Sequence, residues 1–401
     1  MCLVHEVQEV DTIERLESIH IAAVAPATTD RSSGTRRRGT VATCAASGDS
    51  VAHDPMMARP LPWRAIVGPL LILACLASRL LVPSGARRAL QATPPTADTC
   101  AAVADRRGPR LVAVGDVHGD FEALADVLAA AKIANASCGA WTGGDAILVQ
   151  MGDVVDRGRD VTKANDCLRR LQRLAPAVGG RVVRLVGNHE LMRAEGSLRD
   201  AHPAESSAAA IAGIIQWRAE VKSGAVRVAF ADGPYCFTHA GVRPALLERL
   251  PAASRSVGAL VRYFDERLRG AVVACGASRA CRFRDDIFSA AADRGGRGVG
   301  GTFWTDWRIL AAAAGDELPD AIQVVGHSAS RCRPQRGSPC EPIRFRSDLR
   351  AVVIDAGLSK AYASNRAYLE IDGSIFAHWL EASSPPVWRT RDLAGACRGH
   401  R

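Results

Sequence analysis

Residues 111–119 read Leu-Val-Ala-Val-Gly-Asp-Val-His-Gly, an apolar run that stops abruptly in an acid, a histidine and two glycines. Four aliphatic residues in a row make a short buried strand, and glycines at 115 and 119 let the backbone turn sharply past its end. Asp116 and His118 are thereby delivered to the strand's carboxyl edge, where open α/β sheets place their ligands. Alone, an Asp-x-His turn is most simply a capping acid beside a surface imidazole. The same construction recurs twice, however. Residues 147–158 read Ile-Leu-Val-Gln-Met-Gly-Asp-Val-Val-Asp-Arg-Gly, and residues 182–190 read Val-Val-Arg-Leu-Val-Gly-Asn-His-Glu. Three strands thus end in Gly followed at once by a hard or borderline metal ligand: Asp116, Asp153 and Asn188.

Between these strands the period changes. Asp120 to Lys132 carries Phe121, Leu124, Val127 and Leu128 at helical spacing, and Val161 to Leu174 does the same with Cys167, Leu168 and Leu171. Alternation of strand and helix builds a central sheet covered by helices, with right-handed crossovers. Residues 190–225 form an Ala-rich helical excursion around Ile211, Ile214, Ile215 and Trp217, placed to act as a cap at the rim of a site. Val226 to Phe230 and Tyr235 to Thr238 read as a strand pair whose second member runs into His239-Ala240-Gly241. Ile322 to Val325 is a strand that ends in Gly326-His327. Of ten histidines, those at 118, 189, 239 and 327 all fall at strand ends. His378 lies within a strand-like run and reads as structural.

The chain has 401 residues, 48% hydrophobic and 23% charged, with a net charge of +9. That is enough for one large domain with extensions. Much of the positive excess lies outside the core, as Arg36 to Arg38, Arg87, Arg88, Arg106 and Arg107. With no aromatic-interleaved basic patch, nucleic acid is not an expected partner. Residues 1–64 read as a disordered or targeting extension, with translation starting at Met1 or near Met56. Residues 65–83 form an apolar segment whose thirteen uncharged residues from Ala65 to Ala77 suit a signal peptide or signal anchor. A buried helix is the bland reading of it. Residues 84–108 read as a linker, 109–381 as the catalytic domain and 382–401 as a tail. Nine of twelve cysteines follow residue 99. Cys275 with Cys281, and Cys332 with Cys340, suit disulfides of a secretory or lumenal protein, which agrees with the apolar segment.

Taken together, GDVHG, GDVVDRG, GNHE, THAG and VVGH resemble the motifs of the calcineurin-like metallophosphoesterase superfamily, in its PPP-type branch. The later blocks FWTDWR at 303–308 and VVIDAGLS at 352–359 are most similar to the Shewanella-like protein phosphatases. The resemblance covers roughly residues 110–380. It implies a four-layer α/β/β/α sandwich with a small helical cap and a site of two divalent ions, with Mn, Fe or Zn suiting the mixed ligands. Asp116, His118 and Asp153 would hold one ion, and Asp153, Asn188, His239 and His327 the other. His189 would be the general acid, oriented by Asp156, while Arg157, Asn188 and Arg308 would bind phosphate.

The implied reaction is hydrolysis of a phosphomonoester by direct attack of a metal-bridging hydroxide. Uncatalysed, such esters react so slowly that enzymes supply up to ~10²¹-fold. Phosphorylated protein at serine, threonine or tyrosine is the expected substrate, or else a small phosphomonoester. A diadenosine tetraphosphatase-like nucleotide pyrophosphatase and an inactive phosphopeptide-binding module are the alternatives. Location is expected to be secretory or membrane-anchored through residues 65–83, with a plastid as alternative.

Overall fold

The computed structural model describes residue 106 and residues 108–398, except 279, 313–317, 319–320 and 339. The expected extension, apolar segment and nearly all of the linker lie outside the described residues. Among those described, no helix is long and apolar enough to cross a membrane.

The first three motifs fold as the alternating pattern requires. Strands β1 (Leu111–Val114), β2 (Ile147–Gln150) and β3 (Arg181–Leu185) lie side by side in parallel, Leu111 opposite Ile147 and Ile147 opposite Arg181. Helices α1 (Phe121–Ala130) and α2 (Val161–Leu174) return over them. Asp120 caps α1 by accepting from Ala123 N–H at 3.1 Å. The inward stripe of α2 is Ala164, Cys167, Leu168 and Leu171, packed with Leu124 and Leu128 on the outer face of β1 and β2.

Helix α3 (Asn188–Ala194) follows β3 directly, and the excursion continues as α4 (Ser207–Ser223). Strand β4 (Val226–Arg227) closes one edge of the sheet. The chain then crosses to a second sheet, through β5 (Ala229–Asp232) and β6 (Tyr235–Thr238). Helices α5 (Pro244–Leu247), α6 (Val257–Ala274) and α7 (Trp307–Ala312) precede β7 (Ile322–Val325), β8 (Arg344–Phe345) and β9 (Ala351–Val353). Strands β10 (Ala367–Ile371), β11 (Ile375–Glu381) and β12 (Val387–Asp392) return to the first sheet, and α8 (Leu393–Arg398) ends the described chain. The sheets run β12-β11-β10-β1-β2-β3-β4 and β5-β6-β7-β9-β8. Their inner faces meet in one core that contains Ala113, Val149, Leu185, Phe237, Val324 and Leu369. Helices cover both outer faces, so the expected four-layer α/β/β/α order holds. Parallel strands β1, β2 and β3, and likewise β6, β7 and β9, present their carboxyl ends together.

Four boundaries differ from the sequence reading. The run Val226 to Phe230 is not one strand: Val228 N–H donates to Asp265 Oδ1 at 2.7 Å instead of joining a ladder, and the chain changes sheets there. The expected tail after 381 carries an edge strand, β12, paired antiparallel to β11, and Leu393 behind it is fully buried. Arg106, read as linker charge, is pinned to Asp232 Oδ2, with Nε at 2.7 Å. Ile211 and Ile215 point to solvent, because α4 buries only Ala210, Trp217 and Val221. Both foreseen disulfides are present, and a third, Cys138–Cys167, ties the loop after α1 to α2. Cys236 is buried and free, its thiol pushed up to about 12 by burial.

Helix α4 is anchored by charge as well as packing. Glu220 accepts Arg184 Nη1 at 2.9 Å and Nη2 at 3.1 Å, and Arg169 Nε at 2.7 Å. Burial raises the Glu220 carboxyl, but the two arginines outweigh it and hold it below its ordinary value. Because the folded value is depressed, the stabilisation is full above the unfolded carboxylate range. It is lost as pH falls through the folded value. Glu220→Gln, which leaves Arg184 buried without its counter-charge, is expected to lower unfolding free energy by ~3 kcal/mol at neutral pH. Urea unfolding should show the gap narrowing in acid; a gap that stays constant would mean the carboxylate charge is not what anchors α4.

Candidate active site

At the shared carboxyl edge each strand hands over to a short turn. Gly119, at φ +63°, lies against Gly158, and a methyl on it would sit 2.6 Å from the Gly158 carbonyl oxygen. Side chains at either position would force the two ligand loops apart. Five residues of the site occupy the left-handed region: His118, Asp153, Asp156, Arg157 and His327. Such backbone is unfavourable outside glycine and persists only where surrounding bonds enforce it. Glu190 supplies several of them. Its Oε2 accepts from Asp153 N at 2.9 Å and Gly187 N at 2.8 Å, and its Oε1 from Val154 N at 2.8 Å. This buried carboxylate welds the second and third motifs together, and sequence reasoning quoted it without giving it that role.

The side chains converge on Asp153. Its Oδ2 lies 3.6 Å from His118 Nε2 and 3.5 Å from His239 Nε2. His118 Nδ1 is 3.0 Å from Val155 O, and His239 Nδ1 is 2.8 Å from Met151 O. A carbonyl only accepts, so each Nδ1 carries a proton, and in the neutral imidazole each Nε2 presents a lone pair. Asn188 Oδ1 lies 2.9 Å from His239 Nε2 and 2.8 Å from His327 Nδ1. The His239 Nε2 lone pair therefore faces the Asn188 and Asp153 oxygens, and His327, whose Nδ1 can donate to Asn188, leaves Nε2 buried without a partner. His327 N–H reaches both Asp116 oxygens at 3.1 Å, joining the two sheets through the site. Burial, with Asp355 and Asp153 adding to it, holds the Asp116 carboxyl well above its ordinary value. Burial likewise pushes Asp355 up to about 6 and His118 down to about 4. Crowded carboxylates and lone pairs of this kind fit divalent cations.

Among the described residues, two groups of side chains have ligand atoms mutually within 4.8 Å, namely His118, Asp153 and His189, and Asp153, His239 and His327. Asp153 belongs to both. The presence of His189 in the first, in place of Asp116, is a matter of proximity. Both nitrogens of that imidazole are engaged: Nδ1 by Asp156 Oδ2 at 2.6 Å, and Nε2 by Arg157 Nη2 at 3.1 Å. Burial pulls His189 down, but Asp153 and the hydrogen-bonded Asp156 outweigh it and hold it above its ordinary value.

The arginines divide. Arg157 lies over the Tyr362 ring at 5.1 Å, and that ring is 5.5 Å from His118. Arg157 N–H is held by Asp200 O at 2.8 Å, in the loop that leads to α4. Arg308 is not brought to the site. Trp307 is the buried residue of that turn, so Arg308 beside it faces solvent, 83% exposed, with Nε and Nη2 on Asp306 at 3.1 and 3.3 Å. Arg294 stands closer: its Nη2 is 2.9 Å from Asp306 Oδ2 and 3.3 Å from the hydroxyl of Ser328, the residue after His327. Its Nε is buried without a partner. Nothing in its Asp-Arg-Gly-Gly context distinguished it in the sequence.

The chain is a hydrolase that acts on phosphate esters, and its residues 109–266 match the calcineurin-like phosphoesterase family. The chain belongs to the calcineurin-like metallophosphoesterases. An uncharacterised protein of Schizosaccharomyces pombe is 31% identical over 273 residues, 65% of this chain and 76% of that protein. Shewanella-like protein phosphatase 2 of Arabidopsis thaliana is 43% identical over 90 residues, 22% of this chain and 23% of that one. Shewanella-like protein phosphatase 1 of Plasmodium berghei is 35% identical over 96 residues, 24% and 26%. These two matches span about a quarter of either phosphatase. A solved cold-active protein tyrosine phosphatase shares the fold, with a TM-score of 0.51 and 18% identity over 73% of this chain and 84% of that one.

Proposed function

We propose that this chain is a dinuclear metal-dependent phosphomonoesterase acting on phosphorylated protein, at serine, threonine or tyrosine. The observation that carries the reading is Asp153, whose carboxylate is shared by two ligand groups with imidazole lone pairs facing it. Asp116, His118 and Asp153 would hold one divalent ion, and Asp153, Asn188, His239 and His327 the other, with Mn, Fe or Zn suited to such donors. When bound, two such ions supply Lewis acidity toward phosphoryl oxygens and an acidified water.

The chain's own groups supply the rest. Arg157 presents a planar fork to phosphate oxygens, and Arg294 takes the second position in place of Arg308. Asn188 can also donate to phosphate through its amide. As Arg157 turns from His189 to the substrate, it releases Nε2, the atom that would carry the proton to the leaving oxygen. Asp156 fixes the opposite nitrogen and stabilises the imidazolium. The names of the plant and protozoan relatives support protein as the substrate.

Turnover of phosphoserine, phosphothreonine and phosphotyrosine peptides by the metal-loaded full chain tests this against diadenosine tetraphosphate. Peptide turnover well above dinucleotide cleavage is expected. The reverse ranking would move the assignment to a nucleotide pyrophosphatase, and binding of peptides without turnover would make it a binding module.

A further inference from the structure

The two carboxylate oxygens of Asp156 are committed to different residues. Oδ2 takes His189 Nδ1 at 2.6 Å, and Oδ1 takes Arg193 Nε, also at 2.6 Å. Arg193 turns its remaining edge to Glu205, with Nη1 at 2.8 Å from Oε1 and Nη2 at 2.5 Å from Oε2. The four side chains form one buried line, each no more than 7% exposed. Arg193 stands four residues after His189 on α3, on the same helical face. Glu205 precedes Ser206, whose hydroxyl caps α4 by accepting from Ala209 N–H at 3.2 Å.

Asp156 lies in no regular element and has φ +69°, so no helix or strand fixes where its carboxylate points. Besides His189, the group that bonds this buried carboxylate among the described residues is Arg193, which with Glu205 borders a cavity of about 300 Å³ between α2 and α4, lined also by Val161, Ile214 and Trp217. The orientation is left to the guanidinium. Its planar fork ties two carboxylates in fixed relation, which the single ammonium of a lysine does not. We infer that Arg193 is a positioning residue: braced by Glu205, it holds Asp156 in the one orientation that aims His189 Nε2 at the leaving oxygen. This rests on the reading of His189 as general acid.

The test uses the metal-loaded full chain with two substrates, p-nitrophenyl phosphate, whose leaving group needs little help, and an alkyl phosphate, whose alkoxide must be protonated. Arg193→Met is expected to lower kcat on the alkyl ester by ~10–100-fold, leave KM within about twofold and change p-nitrophenyl phosphate far less. Glu205→Gln should act in the same direction with a smaller effect, and Arg193→Lys should restore part of the loss. Added to Asp156→Asn, Arg193→Met should cost little more, because both act through one carboxylate. Equal losses on both substrates, or full additivity with Asp156→Asn, would overturn the inference and leave Arg193 a structural ion pair. If Arg193→Met does not fold, Glu205→Gln and Arg193→Lys decide by the same substrate contrast. A His189→Ala variant without that contrast would refute the acid reading itself, and this inference with it. The contrast in His189→Ala but in no Arg193 or Glu205 variant would refute this inference alone.

Discussion

Asp153→Asn is expected to lower phosphate-ester hydrolysis by at least ~10³-fold, because a lost ion forfeits several kcal/mol of charge stabilisation and each 1.4 kcal/mol is a factor of ten. No other side chain stands in both ligand groups. The amide keeps the shape, and one oxygen can still accept the His189 backbone N–H, 2.9 Å away in the native protein. What it removes is charge. That charge raises the carboxyls of Asp116, Glu190 and Asp355 in the metal-free protein, while His239, His189 and His118 outweigh burial and hold Asp153's own carboxyl below its ordinary value, so removing it relieves repulsion and loses attraction together. The metal-free variant should therefore stay folded and melt close to the metal-free native chain, which separates loss of function from loss of fold. A melting temperature well below the native one would assign Asp153 a structural role. Turnover within tenfold of native would remove it from the metal site.

His189→Ala should lower kcat on alkyl phosphates by ~10²–10⁴-fold, the usual contribution of a positioned acid. Its effect on p-nitrophenyl phosphate should be much smaller, because nitrophenolate leaves without a proton. Asp156→Asn should follow the same substrate pattern less severely, since the imidazole remains and an amide oxygen can still accept its Nδ1 proton, but the charge that stabilises the imidazolium is gone. Both nitrogens of His189 are engaged by protein groups, so metal content is expected to be unchanged in either variant. Metal analysis showing one ion missing in His189→Ala would make it a ligand instead of an acid.

The convergence of the candidate ligands was legible because each closely follows a buried strand, and parallel strands bring such positions to one edge whatever the details between them. His239 and His327 were legible for the same reason, although they lie 51 and 139 residues beyond Asn188 of the third motif. What was not legible depends on partners remote in sequence. The break at Val228 is made by Asp265, and nothing in Val-Arg-Val-Ala-Phe marks it. Strand β12 alternates with mostly exposed, polar residues, so only its antiparallel neighbour reveals it. Arg308 ends the aromatic block that Arg294 precedes, and Arg308 faces solvent because its short helical turn buries Trp307 instead. Arg193 carries no motif at all; its significance lies in where Asp156 and Glu205 meet it.

The most direct test of the account is titration of metal-stripped full-length protein with Mn, Fe or Zn, following p-nitrophenyl phosphate hydrolysis and bound metal together. The account predicts that turnover appears with metal and saturates as two ions bind per chain. Folded protein that binds two ions and hydrolyses no phosphomonoester, or full turnover with a single ion, would contradict it.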